Sequence, residues 1–132
     1  VRSRDNVVHG ESLLKDFQAK IQEEKKGNTT IFSLAGRLDS TTSPVVEEKI
    51  LGAITAGTID VILNFSALSY ISSAGIRVLV HCHKELEKKH GHIFLAAVPK
   101  PIENVLYITG FLPYFKVFDG QDQALSALAK LP

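Results

Sequence analysis

A serine pair in front of a small residue and a glycine is the part of the chain best suited to chemistry. Ser72 and Ser73 precede Ala74 and Gly75, and an amphipathic segment with helical periodicity follows over 76–89. Serines at this place lie among the unpaired N–H groups of a helix start. A phosphate on one of them would be stabilised by those N–H groups and by the positive end of the helix dipole. The alternative is that the pair only caps the helix.

The elements around the serine pair are those of an α/β fold. Residues 59–65 are almost continuously apolar, as in a strand covered on both faces of its sheet. Residues 66–71 are expected to form a loop, and a long helix then runs from 72 to a stop at Gly91. The inner face of this helix is predicted to carry Ile76, Leu79, Val80 and Leu86. The serine pair therefore lies at the carboxyl edge of the sheet, where open α/β folds meet ligands and partners.

The first strands are predicted to form a hairpin. Residues 17–21 alternate apolar and polar side chains, as in a half-buried strand, and residues 29–35 are rich in strand formers. Lys25-Lys26-Gly27-Asn28 between them indicates a turn. A helix over 9–24 is the alternative, and the neighbouring strand decides against it. Residues 1–15 lack a clear period and are interpreted as an N-terminal tail or extension.

Helices and strands alternate through the rest of the chain. The hydroxyl residues 40–43 and Pro44 predict a helix start with side-chain caps, followed by an inner face of Val46, Ile50, Ala53 and Ile54. Further elements are expected as a strand at 92–98, a helix at 102–108, an edge strand at 115–118, and a helix at 121–131 with Ala124, Leu125, Leu128 and Leu131 inward. The class is α/β: a mixed sheet of about five strands with about four helices.

Composition restricts the function classes. The 132 residues are 45% hydrophobic and 22% charged, which fits one domain, here 16–132. The net charge of +1 gives no reason to expect nucleic acid or a membrane as partner. The single cysteine, Cys82, allows no intrachain disulfide, which favours a reducing, cytoplasmic compartment. No apolar run approaches the roughly 20 residues that span a bilayer, and no secretory signal follows Val1–Asp5.

Three strings carry a resemblance to a known family. They are Gly36-Arg37-Leu38-Asp39, Leu63-Asn64-Phe65-Ser66 and Tyr70-Ile71-Ser72-Ser73-Ala74-Gly75-Ile76-Arg77-Val78-Leu79. With these strings, and with the same order of elements from about Phe17 to Leu131, the chain resembles the STAS domain of bacterial anti-sigma factor antagonists. The serine–glycine string and its upstream strand are fairly specific, whereas the Gly-x-Leu-Asp turn is specific only through its spacing.

The resemblance implies a switch in protein interactions and no enzyme activity, cofactor or metal. In that family the antagonist binds an ATP-dependent serine kinase that also holds a sigma factor. Phosphorylation of a serine at the start of the long helix releases the antagonist, and a PP2C-type phosphatase restores binding. The matching phosphoacceptor is Ser73. The partner surface implied by the resemblance consists of Asp39, Thr41, Thr42, Ser72, Ala74, Gly75 and Arg77.

Two positions depart from the family pattern. The aspartate that usually precedes the phosphoserine is Ser72 here, and the hydroxyl residue that usually follows is Ala74. Loss of the neighbouring negative charge eases the arrival of a phosphate, and Ser72 stands as the alternative acceptor. The Ser-Ser-Ala-Gly string also occurs in family members that belong to other bacterial signalling pathways. The alternative function is therefore a STAS regulatory module of a larger transport or sensory protein, or of another bacterial phospho-signalling pathway, and the first residue, Val1, is a reason to consider a longer protein.

Other groupings are weaker. His81 and His83 flank Cys82, but two residues on a helix are about 200° apart, so the histidines point to opposite sides and do not chelate one ion. A hydrolase of the Gly-x-Ser-x-Gly type is disfavoured because Ile71 occupies the first glycine position before Ser73. Residues 111–115 are apolar and are expected to cover the core, with a partner contact as the alternative.

Overall fold

The computed structural model describes the backbone of residues 11–14 and the whole of residues 19–131. The strands are β1 (Glu11–Leu14), β2 (Ala19–Lys26), β3 (Thr29–Leu38), β4 (Asp60–Ile71), β5 (His92–Ala96) and β6 (Lys116–Phe118). The α-helices are α1 (Ser43–Thr55), α2 (Ser73–Glu87), α3 (Lys100–Ile108) and α4 (Gln121–Ala129), and a short 3₁₀ turn covers Leu112–Tyr114. Phe17, in the predicted first strand, lies outside the described residues.

The sheet is mixed, and its strands follow one another in chain order from β1 to β6. The pairs β1–β2 and β2–β3 are antiparallel, whereas β3–β4, β4–β5 and β5–β6 are parallel. The predicted α/β class, the hairpin and the edge position of the last strand are confirmed. The described sheet has six strands because Glu11–Leu14, inside the segment interpreted as a tail, pairs with β2.

The core lies on both faces of this sheet. Helices α1, α2 and α3 pack on one face, around the fully buried Phe32, Leu63 and Phe65. Helix α4 covers the other face through Ala124, which packs with side chains of β3, β4 and β5. The near-continuous apolar pattern of 59–65 is thus explained, because a strand in the middle of a sheet with helices on both faces has no exposed side. Among the described residues, no helix combines the length and the apolar character needed to cross a bilayer.

Three local predictions were wrong. Residues 66–71 are the end of β4 and not a loop, because they pair with the end of β3 through two register shifts. Leu131 is 40% exposed, since α4 ends at Ala129. The hydroxyls before α1 make no cap hydrogen bond to its first turn, although Pro44 does lie there as predicted. The predicted inner faces of α1 and α2 are otherwise confirmed, with Val80 half-buried.

Candidate functional site

The two motifs found in the sequence meet where two parallel strands end. Leu38, the last residue of β3, is paired with Ile71, the last residue of β4. Asp39 and Ser72 follow these residues directly and leave the sheet at the same edge. The backbone N–H of Ser72 donates a hydrogen bond to the carbonyl oxygen of Leu38 at 2.9 Å. The Gly-x-Leu-Asp turn and the serine pair therefore form one surface.

Gly75 allows the helix to approach this turn closely. A Cβ atom at residue 75 would lie 2.8 Å from the carbonyl oxygen of Leu38 and 2.9 Å from the side chains of both Leu38 and Ile71. Carbon atoms do not tolerate such distances, so any larger residue would force the start of α2 away from the end of β3. Gly75 is buried and has no side chain to present to a partner; it allows the start of α2 to lie close to the end of β3.

The two serines lie in different environments. Ser72 is the N-cap residue of α2, and its Oγ atom is buried without a hydrogen-bond partner in the described structure. Ser73 is the first residue of the helix and is exposed. No side-chain cap hydrogen bond is made at this helix start, so the capping interpretation of Ser72 is wrong. The N–H groups of residues 73–75 have no intrahelical acceptor, because the first hydrogen bond of the helix is donated by the N–H of Ile76 to the carbonyl oxygen of Ser72 at 3.0 Å.

Asp39 and Thr42 organise the turn that faces the serine pair. One carboxylate oxygen of Asp39 accepts hydrogen bonds from the N–H groups of Thr41 (3.0 Å) and Thr42 (3.2 Å). The Thr42 hydroxyl donates to the carbonyl oxygen of Arg37 at 2.8 Å and accepts from the N–H of Asp39 at 3.0 Å. Thr42 is fully buried, so it supports the turn from within, whereas Thr41 is exposed.

Neighbouring hydrogen-bond donors stabilise the ionised form of the Asp39 carboxyl. Partial burial acts to raise the pKa of this carboxyl, but the N–H groups of Thr42 and Thr41 and the Arg37 guanidinium outweigh it and hold the pKa below its ordinary value. The second carboxylate oxygen lies 3.2 Å from Nε of Arg37. Asp39 is therefore ionised at neutral pH and is already engaged by backbone and side-chain donors.

Arg37 and Tyr70 belong to this surface and were not found from the sequence. The Arg37 guanidinium lies 4.2 Å from the centre of the Tyr70 ring, which is a cation–π geometry. Nearby, the Ser69 hydroxyl donates to the carbonyl oxygen of Gly36 at 2.9 Å. The interpretation of 66–71 as a loop concealed these contacts, since they depend on β4 continuing beside β3.

A groove opens beside Ser73. It has a volume of about 330 Å³ and lies between α2 and the turn that follows α3. Its lining residues are Ser73, Ile76, Arg77, Val80, Thr109 and Phe111. Arg77 is exposed and Ala74 is half-buried. Of the predicted site residues, Ser73 and Arg77 thus share the groove, whereas Asp39 and Thr41 lie on the adjacent turn.

Comparison with known proteins identifies the family of the chain. The profile of the STAS domain matches residues 20–124, which is most of the chain. The chain belongs to the STAS domain family. BtrV of Bordetella bronchiseptica, which bears the name of an anti-sigma factor antagonist, is 30% identical over 108 residues that cover 82% of this chain and 93% of BtrV.

Solved STAS structures share the fold. An anti-sigma factor antagonist from Mycobacterium paratuberculosis superposes with a TM-score of 0.78 and 21% identity over 89% of this chain and all of that one. The antagonist SpoIIAA in its unphosphorylated form gives a TM-score of 0.75 and 24% identity over 85% of this chain and 98% of SpoIIAA. At these identities the likeness establishes the architecture of the STAS domain, with its helices on both sides of a mixed sheet.

The histidine and cysteine cluster of this STAS domain, His81, Cys82 and His83, does not line the groove. Nδ1 of His81 is 2.7 Å from a carboxylate oxygen of Glu47 on α1, and His83 makes an edge contact with the ring of Phe115. Burial raises the pKa of the Cys82 thiol to about 12, with Glu47 adding to the effect. Within 11–14 and 19–131, no group of three or more potential ligands is placed to hold a metal ion.

The apolar segment 111–115 divides between the two roles expected for it. Phe115 is buried in the core, whereas Tyr114 is 60% exposed. Phe111 is half-buried and forms part of the groove wall. One end of the segment therefore covers the core and the other end contributes to the surface beside Ser73.

Proposed function

We propose that this STAS domain is an anti-sigma factor antagonist controlled by phosphorylation of Ser73. In its unphosphorylated form it binds an anti-sigma factor that is also a serine kinase, and it dissociates once Ser73 is phosphorylated. The observation that supports Ser73 over its neighbour is exposure: the Ser73 side chain lies on the surface, whereas Oγ of Ser72 is buried. A kinase transfers phosphate only to a hydroxyl that it can reach.

The chemical step is phosphoryl transfer to the chain, which is the substrate and not the catalyst. Oγ of Ser73 attacks the γ-phosphorus of ATP, the bond to the bridging oxygen breaks, and ADP leaves. The hydroxyl proton passes to a base of the kinase. A PP2C-type phosphatase reverses the modification by hydrolysis and releases inorganic phosphate. Because ATP and sigma factors are intracellular, the proposed location is the cytoplasm.

The helix start tolerates the new charge without unfolding. Phosphorylation adds about −1.5 to −2 charges at neutral pH, next to three N–H groups with no intrahelical acceptor and to the positive end of α2. The fold around Ser73 is anchored on buried residues, Gly75 and Ile76. We therefore expect phosphorylation to change the charge of the surface while leaving the core intact. SpoIIAA has been solved in a phosphorylated form, and that structure shares this fold with a TM-score of 0.67.

The partner surface is proposed to include the exposed residues near Ser73. Thr41 and Arg77 are exposed, and Ala74 is half-buried on the same helix start. Asp39, with 18% of its side chain exposed, offers one carboxylate edge. Ser72, Thr42 and Gly75 are proposed to act indirectly, since they shape the turn and the helix start on which the exposed residues lie.

Labelling with a cell extract tests the acceptor. The wild type, Ser73→Ala and Ser72→Ala are incubated with γ-labelled ATP and an extract of the source cell, and the modified peptide is mapped. We expect Ser73→Ala to lose the label and Ser72→Ala to keep it, with both variants folded. A label found on Ser72, Ser69 or Thr42 would overturn the assignment.

Calorimetry with the kinase captured by the unphosphorylated protein tests the charge switch. Ser73→Asp is expected to weaken binding by about tenfold or more, because like charges or an unpaired charge at an interface cost a kcal/mol or more. Ser126→Asp is the matched control, since Ser126 is exposed on α4 on the opposite face of the sheet, and we expect it to leave the affinity unchanged. Equal affinities of Ser73→Asp and wild type would contradict the mechanism.

A further inference from the structure

Arg77 lies one helical turn after Ser73. Residues four apart on an α-helix face the same side, with Cβ atoms about 5–6 Å apart. Both residues are exposed on α2, and both line the groove beside the phosphoacceptor. An arginine in this position can reach back along the helix to a group on residue 73.

The Arg77 guanidinium has no ion-pair partner among the described residues. No salt bridge or hydrogen bond to its side chain is formed there, and its neighbours three and four residues away are Ser73, Ala74, Val80 and His81, none of them acidic. The contrast with Arg37 is instructive, because that guanidinium is already held by Asp39 and the Tyr70 ring. Among the described residues that line the groove, Arg77 is thus the cation that remains available beside Ser73.

We propose that Arg77 binds the phosphate of phosphorylated Ser73 and forms an intramolecular clamp along the first turn of α2. This inference rests on the proposed function and adds its mechanism of release. A guanidinium matches a phosphate with two parallel N–H···O hydrogen bonds. Once clamped, Arg77 is withdrawn from the partner surface, so one phosphorylation removes both a neutral hydroxyl and a free cation from the interface.

The residues around Ser73 and Arg77 do not disfavour binding of the phosphate by Arg77. The adjacent turn carries the Asp39 carboxylate, which is occupied by two N–H groups and by Arg37. Across the groove, the residues that face Ser73 and Arg77 are Thr109 and Phe111, and neither is charged. Arg37, which pairs with Asp39 before the adjacent turn, is the arginine with which Arg77 is compared in the experiment.

Phosphorus NMR of the full chain tests the clamp. Phosphoserine is installed at position 73 during synthesis through a reassigned codon, in the wild type, Arg77→Gln and Arg37→Gln. The second ionisation of the phosphate is followed by its chemical shift at low salt. A neighbouring cation favours the dianion, so we expect the phosphate of Arg77→Gln to titrate about 0.2–0.4 pH unit higher than that of the wild type, and that of Arg37→Gln to change less. On installing the phosphate, the Nε–H signal of Arg77 should move downfield in wild type.

The titration shifts of the two arginine variants can either support or overturn the clamp. A larger shift for Arg77→Gln than for Arg37→Gln, with a moved Arg77 signal, supports the clamp. An equal or smaller shift for Arg77→Gln, including no shift, overturns it. Because the phosphate is installed without a kinase, a failed clamp leaves the labelling experiment on Ser73 unaffected. A failed labelling experiment likewise leaves the NMR result standing as a property of the helix.

Discussion

Replacing Gly75 with alanine probes the contact on which the site depends. The added Cβ atom would lie 2.8 Å from the carbonyl oxygen of Leu38, about 0.6 Å inside the 3.4 Å at which ordinary contact begins, and 2.9 Å from two side chains. All three atoms are packed in the core or fixed in the backbone, so the start of α2 has to move outward. That movement also lengthens the hydrogen bond from Ser72 N–H to Leu38.

The expected change in the free energy of unfolding is best judged by comparison with a second glycine, Gly52. Overpacking of this kind costs about 1–3 kcal/mol, partly offset by the better helix propensity of alanine, worth up to about 1 kcal/mol. Gly52 is an exposed glycine within α1, and a Cβ atom there would meet nothing within 4 Å. Gly52→Ala therefore receives the propensity gain alone. We expect Gly52→Ala to raise the free energy of unfolding by about 0.5–1 kcal/mol and Gly75→Ala to lower it by about 1–2 kcal/mol.

Urea denaturation followed by circular dichroism measures both variants. With a slope of about 1–3 kcal/mol per molar urea, the midpoints of the two variants should differ by about 0.5–3 M, on opposite sides of the wild type. Phosphorylation of Ser73 by the cell extract should also slow in Gly75→Ala, because the acceptor moves with the helix start. A Gly75→Ala protein as stable as Gly52→Ala would refute the argument that close approach of α2 to β3 requires glycine.

Two further predictions concern the stability of the fold and of the turn at Asp39. Thr30 and Thr58 are buried and share a hydrogen bond of 2.6 Å between their hydroxyls. Thr58→Val should lower the free energy of unfolding by about 1–3 kcal/mol because it leaves the Thr30 hydroxyl unpaired. The double variant, with valine at both positions, should recover most of the loss. A double variant no better than the single one would contradict this reasoning. Asp39 has a lowered pKa in the folded protein, so its contribution to stability is present above the ordinary pKa of 3.8 and is lost as the pH falls through the lower folded value. Asp39→Asn should reduce the acid dependence of the urea midpoint below about pH 4, and an unchanged dependence would show that the turn does not stabilise the carboxylate.

Much of the fold was predictable from local pattern. The alternation at 19–22, the apolar run of 59–65 and the helical period after Ser73 reflect which side chains each element buries, and that information lies within a few neighbouring residues. The prediction of a loop at 66–71 was wrong because the conformation of this segment depends on residues that are distant in the chain. Its polar residues Ser66 and Ser69 gave no strand period, and only pairing with the distant end of β3 keeps them extended.

The chain's pattern was enough to locate a hydroxyl pair at a strand-to-helix junction, and the resemblance to the STAS family pointed to Ser73 as the acceptor. It did not separate the environments of the two serines, since Ser72 and Ser73 are chemically identical neighbours. Their difference arises in three dimensions: the backbone turns at the N-cap, Oγ of Ser72 becomes buried, and Ser73 faces outward. The groove beside Ser73 likewise depends on the turn after α3 packing near α2. Burial depends on every segment that surrounds an atom, whereas periodicity depends only on the residues next to it in the chain.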